Sequence, residues 1–280
     1  MGLYPLHYRE SVERALQEDL GHGPDWTTDA ILDPDTRGQA ELVLRSEGRV
    51  CGVEVAAAAF RLLDPEIEVK VLHADGEDAG PGPVMLVAGR ARALLTAERV
   101  ALNFLGRLSG VATATRAMAR AVEGTRAHIV CTRKTTPGLR LLEKYAVRCG
   151  GGHNHRFGLD DAVMIKDNHR ALAGGLRAAV ERVRARVGHM VKVELEVDTL
   201  EELREALTLP IDAVLLDNMT PARLREAVQL VGGRLLTEAS GGITLETVRE
   251  VALAGVDLIS SGALTHSSPC LDVSMEVLAA

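Results

Sequence analysis

The sequence predicts an α/β protein in which an N-terminal α/β sandwich domain precedes a (β/α) barrel, TIM-like but open or incomplete. A length of 280 residues corresponds to about two domains. The first third gathers short strands around one helix. From about residue 125 onward, six apolar runs of strand length alternate with amphipathic helices. Such alternation predicts a parallel sheet with crossover helices, and six units with short loops favour a barrel over an open doubly wound sheet.

Composition excludes several classes of protein. Hydrophobic residues make up 46% and charged residues 25%, which is typical of a globular protein and excludes a disordered one. The net charge of −7 argues against a general nucleic-acid binder. No stretch approaches the roughly 18 apolar residues of a membrane span, and the first residues lack the layout of a secretory signal. The four cysteines lie far apart without metal-type spacing, which indicates reduced thiols in a cytoplasmic protein.

The N-terminal elements follow from local patterns. Residues 6–20 have helical spacing and end at Gly21, and a turn-rich loop, GHGPDWTTD, comes next. A second helix is predicted at 54–64, among strands at 39–45, 66–72 and 84–88.

A long helix is predicted from about 93 to 122, broken near Ser109–Gly110, and we interpret it as the connection between the domains. We therefore expect the first domain to span 1–108 and the barrel to span 109–267. The C-terminal segment 268–280 is expected to pack back on the first domain.

Polar clusters stand at the carboxyl end of each strand predicted for the barrel. The strands are 127–131, 162–166, 190–197, 212–216, 234–239 and 256–260. The clusters are Thr132-Arg133-Lys134, Lys166-Asp167-Asn168-His169, Glu194 with Glu196, Asp217-Asn218, Ser240-Gly241-Gly242 and Ser261-Gly262, and a glycine turn adds His153, Asn154, His155 and Arg156. In a (β/α) barrel all these ends face one mouth, where barrel enzymes place their sites. One cluster alone could be a helix cap, but six predict a functional rim.

Charge along the rim predicts the ligand. Residues 132–170 hold eight basic and four acidic residues within an acidic chain, which suits a small polyanion. Arg133 and Arg156 offer planar forks for carboxylate or phosphate, while Lys134 and Lys166 are compact charges. The other basic residues of the stretch at helical spacing are expected on a solvated face with surface ion pairs; these are Arg140, Lys144 and Arg148.

Carboxylates on the same rim add the opposite charge. Glu194 and Glu196 share one face of a strand, and with Asp217 they could hold Mg²⁺, ribose hydroxyls or a developing cation. The glycine-rich turns after residues 239 and 260 supply backbone N–H groups for a phosphate. Together these features predict a phosphorylated sugar bound beside an anionic partner.

The motifs resemble those of the quinolinate phosphoribosyltransferase family, which is decarboxylating, over nearly the whole chain. They are TRKTTPGLR (132–140), GGGHNHR (150–156), DAVMIKDNH (161–169), VELEV (193–197), LLDNM (215–219), EASGGI (238–243) and SSGALTHSSP (260–269). The first two are specific rather than generic. The resemblance implies phosphoribosyl transfer from phosphoribosyl pyrophosphate to quinolinate, Mg²⁺ as cofactor, and a homodimer or larger homo-oligomer.

The resemblance also implies roles for individual residues. Arg133, His155, Arg156 and Lys166 would hold the quinolinate carboxylates, with Thr132 and Lys134 nearby. Glu196 and Asp217 would contact the ribose and Mg²⁺, and these two with Lys134 and Lys166 are the candidate catalytic residues. The 5′-phosphate would bind the backbone of Ser240, Gly241, Gly242, Ser261, Gly262 and Ala263. Arg99 would reach into the neighbouring subunit's site. Glu196 is chosen over Glu194 by its spacing to Asp217, and Glu194 stays open.

Two other functions stay open at this point. Lys166, one of only five lysines, stands at a strand end, where a Schiff-base aldolase would need it. Against that reading, an imine-forming lysine prefers a partly apolar pocket, and this rim is rich in Arg and His. The other alternative is a relative with another substrate, or a non-catalytic binder of sugar phosphates; one paralogue group of the family is linked to molybdenum transport.

Overall fold

The computed structural model describes residues 2–278 and divides into two compact units. The first unit comprises the chain up to residue 116, residues 135–151 and the chain from 267 onward, and the second comprises 117–134 and 152–266. Within 2–278, no helix combines the length and the apolar run that a membrane span requires. The predicted division at 108/109 stays a prediction.

The first unit is built on a four-stranded antiparallel sheet. The strands of this unit, including two that lie outside the sheet, are β1 (Arg37–Leu44), β2 (Gly48–Arg49), β3 (Glu68–Val71), β4 (Asp78–Ala79), β5 (Gly82–Arg90) and, at the end of the chain, β12 (Val273–Leu278). The sheet has the order β12-β1-β5-β3, and β2 pairs with β4 separately. The buried positions of β1 alternate at Ala40, Leu42 and Leu44, because successive side chains of a strand point to opposite faces.

The first unit also contains α-helices, one of which is capped by an aspartate. They are α1 (Arg9–Leu20), α2 (Trp26–Ile31), α3 (Val53–Leu63), α4 (Ala91–Ala121), which continues into the second unit, and α5 (Arg140–Cys149). The helix α2 lies where the sequence analysis predicted only a loop. The Asp25 carboxylate accepts a hydrogen bond from the Thr28 N–H at 3.0 Å, which caps this short helix.

The predicted break at Ser109–Gly110 was wrong, because α4 is continuous through both residues. The Ser109 hydroxyl accepts from the Cys51 N–H at 3.0 Å and donates to the Cys51 carbonyl at 3.1 Å. A Cβ at Gly110 would lie 2.0 Å from the Pro269 carbonyl oxygen. Both residues therefore serve close packing on a continuous helix, and their low helix propensity is outweighed by those contacts.

The second unit contains a six-stranded parallel sheet covered by helices. Its strands are β6 (His128–Val130), β7 (Val163–Ile165), β8 (Val193–Val197), β9 (Ala213–Asp217), β10 (Leu236–Ser240) and β11 (Leu258–Ser260). Its helices are α6 (Asp167–Ala173), α7 (Leu176–Arg184), α8 (Leu200–Ala206), α9 (Pro221–Val231), α10 (Val248–Leu253) and α11 (Ala263–His266). All six predicted strands are confirmed. The single helix expected after β7 is two helices, because Gly174 ends α6 in the left-handed conformation.

The sheet has the strand order of a barrel but does not close. Its order, β6-β11-β10-β9-β8-β7, follows the chain around a ring. Beyond β6 there is one isolated parallel bridge, between Val130 and His153. Between that bridge and β7, the described residues 2–278 form no further pairing. The predicted α/β fold with an open barrel is therefore confirmed.

The predicted solvated face of α5 was wrong for Lys144, whereas Arg148 is exposed as predicted. Lys144, expected on a solvated face of α5, is buried, as is the neighbouring Glu143. The Glu143 carboxylate accepts from Arg107 at 2.7 Å and from the Thr136 hydroxyl at 2.7 Å. A helix face rich in charge can therefore be an interior face when its charges are paired within the same unit.

Candidate active site

A cavity of about 730 Å³ opens at the carboxyl ends of the strands in the second unit. All the residues to which the family resemblance gave a role line it except Arg99, namely Thr132, Arg133, Lys134, His155, Arg156, Lys166, Glu196, Asp217, Ser240, Gly241, Gly242, Ser261, Gly262 and Ala263. The other residues predicted on the rim do not line it; these are His153, Asn154, Asp167, Asn168, His169 and Glu194. The lining residues converge because parallel strands end at one edge of the sheet, so that residues distant in sequence share one mouth. The volume is in the usual range for a small-molecule site.

One side of the cavity is cationic. Arg133, Lys134, His155 and Arg156 lie on the segments that follow β6 and the Val130–His153 bridge. The Arg156 Nη1 donates to the Ala162 carbonyl at 2.9 Å, which fixes its guanidinium at the opening beside β7. Burial, followed by the charge of Arg133, lowers the pKa of Arg156. Two guanidiniums held together in a partly buried place form a site for an anion with more than one negative oxygen.

The other side of the cavity is acidic. Lys166 Nζ lies 2.6 Å from Glu196 Oε2, and Glu196 is buried while Lys166 is half-exposed. The Asn218 amide donates to Asp217 Oδ2 at 2.6 Å. Burial, and then the charges of Glu196 and Asp198, raise the pKa of Asp217. The negative charge gathered here is what a divalent cation or a positively charged sugar ring would relieve.

These carboxylates fit Mg²⁺. The ion prefers oxygen ligands and is usually bound by one or two carboxylates together with substrate phosphates. Glu196 and Asp217 supply two carboxylates on the cavity wall, and a bound cation would favour the ionised form of Asp217, whose pKa is raised by burial and then by the charges of Glu196 and Asp198.

Two glycine turns close the cavity. Gly241 and Gly242 both adopt positive φ, and a Cβ at Gly241 would lie 2.1 Å from Asn218 Oδ1. A Cβ at Gly262 would lie 2.9 Å from Lys134 Cδ. Glycine is therefore required at Gly241, where φ is positive, whereas at Gly262 it lets the Lys134 side chain pass close to the backbone. The Ser261 N–H donates to the Val130 carbonyl at 3.1 Å, so it holds its own loop in place.

The comparison with known proteins identifies the family. The model of the quinolinate phosphoribosyl transferase N-terminal domain matches residues 25–109, and that of the C-terminal domain matches residues 111–276. The chain belongs to the quinolinate phosphoribosyltransferase family. The family predicted from the motifs is therefore confirmed.

Relatives of the family align over almost the whole chain. A probable nicotinate-nucleotide pyrophosphorylase (carboxylating) of Bacillus subtilis is 44% identical over 273 residues, which is 97% of this chain and 94% of that protein. A chloroplastic nicotinate-nucleotide pyrophosphorylase (carboxylating) of Arabidopsis thaliana is 42% identical, covering 95% of this chain and 81% of its own. The crystal structure of NadC from Streptococcus pyogenes superposes with a TM-score of 0.95 at 40% identity, covering all of both chains.

The structure distinguishes the two glutamates of the family motif VELEV. Both are buried on β8. Glu196 lines the cavity beside Lys166, whereas Glu194 lies behind the wall, with Oε2 at 2.9 Å from His155 Nε2. Glu196 therefore has the position expected of a ligand contact, and Glu194 orients a histidine of the cavity.

Glu238 is a cavity residue that the sequence analysis missed within the motif EASGGI. It is buried on β10, and its Oε2 lies 3.6 Å from His155 Nε2. Burial and the charge of Glu194 raise the pKa of Glu238 to about 7. A glutamate in the middle of a short apolar strand was the available signal, because such a carboxyl group must point into a polar interior. The other lining residues not assigned to the site are Met164, Leu215, Asn218, Ile243, Thr244, Ser260 and His266.

Arg99 is the one predicted site residue that lies in the first unit. It stands on α4, its side chain is mostly exposed, and its Nη2 lies 3.8 Å from Glu98. It lines a second cavity of about 760 Å³ together with Arg14 and Asn103. Within one chain, Arg99 and the other predicted residues therefore belong to different units.

Proposed function

We propose that this chain transfers the phosphoribosyl group of phosphoribosyl pyrophosphate to quinolinate, with decarboxylation to nicotinate mononucleotide, pyrophosphate and CO₂. The observation that carries the proposal is one cavity with an arginine pair on one wall and two carboxylates on the other. The pair of Arg133 and Arg156 suits a dicarboxylate, and Glu196 with Asp217 suits the ribose and its metal. The names of the relatives agree with this reaction.

The first step joins the two substrates. The pyridine nitrogen attacks the anomeric carbon, the bond from that carbon to the pyrophosphate oxygen breaks, and positive charge develops on the sugar ring. Glu196 and Asp217 oppose that charge from the acidic wall, while Arg133 and Arg156 hold the carboxylates so that the nitrogen is aligned. When bound, Mg²⁺ would neutralise the leaving pyrophosphate. The glycine turns at 240–242 and 261–263 would hold the 5′-phosphate.

The second step removes one carboxylate. The first step turns the ring nitrogen into a cationic pyridinium nitrogen, whose positive charge stabilises the electron pair that remains on the adjacent carbon when that carbon loses CO₂. A proton then takes the place of the carboxylate on that carbon. The protein positions the ring and balances charge in this step, so no covalent nucleophile is required.

We further propose that the active form is a homodimer or larger homo-oligomer in the cytoplasm, with Arg99 completing the neighbour's cavity. Several large apolar side chains of the first 31 residues face solvent, where Leu6, Trp26 and Ile31 are each at least 73% exposed. An exposed group of this kind supports association with another chain.

The Schiff-base alternative is disfavoured by the surroundings of Lys166. Its ammonium is ion-paired with Glu196 at 2.6 Å, which differs from the apolar setting that an imine-forming amine needs. The paralogue alternative, in which the acceptor substrate differs, is tested by assaying quinolinate and nicotinate as acceptors in parallel.

The test is an assay with quinolinate, phosphoribosyl pyrophosphate and Mg²⁺ that follows CO₂ and the mononucleotide, with nicotinate in parallel. We expect product from quinolinate alone. Arg133→Lys should raise the KM for quinolinate by about 10-fold or more, because Lys lacks the planar fork. Arg225→Lys, on an exposed position of α9, is the matched control. Turnover of nicotinate but not quinolinate would contradict the decarboxylation, and inactivity with both would contradict the transfer reaction.

A further inference from the structure

Two cysteines and an aspartate of the first unit meet away from the cavity described above. The Sγ atoms of Cys51 and Cys149 and one carboxylate oxygen of Asp75 all lie within 4.8 Å of one another. Cys51 stands just before α3, and Cys149 is the last residue of α5. The fold therefore brings together two thiols that are far apart in sequence, and the proposed reaction uses neither.

Asp75 is held by the surrounding structure. Its Oδ1 accepts from the N–H groups of Gly52 at 2.7 Å and Val53 at 3.0 Å, and its Oδ2 accepts from the Tyr145 hydroxyl at 2.8 Å. The Arg49 Nε donates to the Cys149 carbonyl at 2.9 Å and fixes the end of α5. Because both oxygens of Asp75 already accept hydrogen bonds, its role is to position Tyr145 and the start of α3 around the two sulfurs.

The two thiols differ in reactivity. The neighbouring Cys51 thiol, against the opposing effect of burial, lowers the pKa of Cys149. Burial, followed by the neighbouring Cys149, raises the pKa of Cys51 well above its usual value. Cys51 is fully buried, whereas Cys149 is partly exposed. Cys149 is therefore the thiol that ionises more readily and that a small reagent can reach, and the Cys51 sulfur lies within 4.8 Å of it.

We propose that Cys51 and Cys149 are a dithiol that a hydroperoxide oxidises to an intramolecular disulfide. The Cys149 thiolate attacks the peroxide oxygen, so that an S–O bond forms, the O–O bond breaks and the leaving alkoxide or hydroxide takes a proton. The Cys51 sulfur then loses its proton and attacks the Cys149 sulfenic acid, so that the S–S bond forms and water leaves. Two thiols are oxidised and one hydroperoxide is reduced to an alcohol, or to water, plus a second molecule of water.

The bond would join Cys51, two residues before α3, to Cys149, the last residue of α5. It would close a loop of about 100 residues and so restrict the unfolded chain. The segment GGGHNHR directly follows Cys149 and contains His155 and Arg156 of the proposed site. The disulfide would therefore anchor the residue that precedes this segment.

The test uses the full-length reduced protein, treated with a small excess of hydrogen peroxide, alkylated and mapped by mass spectrometry without reduction. We expect a peptide pair joined through Cys51 and Cys149, and free thiols after denaturation should fall from four to two. The double variant Cys131→Ser/Cys270→Ser should form the same pair, and Cys149→Ser should not. Tyr145→Phe removes the hydrogen bond that the Asp75 carboxylate accepts, which leaves its negative charge less compensated beside the Cys149 thiolate, so the rate of oxidation should fall several-fold at pH 7, with its pH profile displaced upward.

Three results would overturn the proposal. One is a wild-type map in which Cys51 and Cys149 are both alkylated after peroxide has oxidised other residues. Another is oxidation confined to the exposed Cys270. The third is a stoichiometric zinc ion in the purified protein that blocks oxidation of the pair, which would make the cluster a metal site. The wild-type map decides even if the Cys149→Ser variant fails to fold, and it is independent of the activity assay.

Discussion

Glu238 illustrates how one carboxyl group can link the chemistry of the cavity to stability. It is fully enclosed on β10, close to His155 and in the field of Glu194. Its pKa rises from an ordinary 4.5 to about 7. Because the folded state holds the proton more tightly than the unfolded chain, this group makes the folded state less stable as the pH rises from about 4.5 to about 7. At higher pH, the cost stays constant.

Glu238→Gln should therefore change the pH dependence of stability. The free energy of unfolding of the variant should increase relative to that of wild type between pH 5 and pH 8, by an amount on the order of 3 kcal/mol at most. Chemical denaturation of both proteins at the two pH values measures this difference. Glu226→Gln, at an exposed position of α9, is the matched control for loss of a carboxylate. An equal stability difference between variant and wild type at both pH values would contradict the buried ionisation.

At the scale of an element, two glycines of α4 are explained by the segment that packs across the helix. A Cβ at Gly106 would lie 2.8 Å from the Leu271 carbonyl oxygen, and one at Gly110 would lie 2.0 Å from that of Pro269. The Leu271 N–H donates to the Gly106 carbonyl at 3.0 Å. Two glycines one helical turn apart therefore form the groove in which the segment 269–271 crosses the helix before β12.

Gly110→Ala should destabilise the protein although Ala is the better helix former. The gain in helix propensity is about 1 kcal/mol, whereas the backbone collision at 2.0 Å forces a shift that costs about 1–3 kcal/mol or more. We expect a net loss in the free energy of unfolding that exceeds the loss for Gly106→Ala, measured by thermal and chemical denaturation. Gly188→Ala, where a Cβ meets open space, should be nearly neutral. A stabilised Gly110→Ala variant would contradict the packing role of this glycine.

The elements show what local sequence can and cannot predict. The six strands of the second unit were predictable, because each is an apolar run between turn residues. The continuity of α4 was not, because Ser109 and Gly110 weaken a helix locally and are kept there by contacts with distant residues. The burial of Lys144 was hidden for the same reason, since a charged helical position is interior only when the fold brings other residues over it.

At the scale of the molecule, the cavity residues that follow the strands could be predicted from the sequence, whereas Glu238, which lies within a strand, could not. Parallel strands deliver their carboxyl ends to one edge whatever their register, so the residues just after the strands can be grouped from the sequence alone. Glu238 lies within a strand, and its place beside His155 depends on the register of β10 and on the path of the segment after the Val130–His153 bridge. Neither the register of β10 nor the path of that segment can be derived from the spacing of residues in the sequence.

Arg99 raises a question that only the assembled molecule can answer. It lies in a different unit from the other predicted site residues, and in the proposed homo-oligomer a neighbouring chain would supply it. Arg99→Ala and Asp217→Ala should each lose about 100-fold or more in kcat/KM, because each removes a charged group from the same composite site. Each of the two inactive variants would then retain the charged residue that the other one lacks.

Hetero-oligomers of these two variants should regain activity. In a dimer purified through two different tags, one cavity combines an intact Asp217 with the neighbour's intact Arg99, while the other lacks both, so activity should return to about half that of wild type. The matched control pairs Lys134→Ala with Asp217→Ala. Both of these residues line the same chain's cavity, so no combination of the two chains restores an intact site. Recovery in the first pair but not in the second is expected only if Arg99 acts across subunits. Failure of both pairs, with the tagged dimer intact, would mean that Arg99 acts on the cavity of its own chain and would contradict the proposed role across subunits.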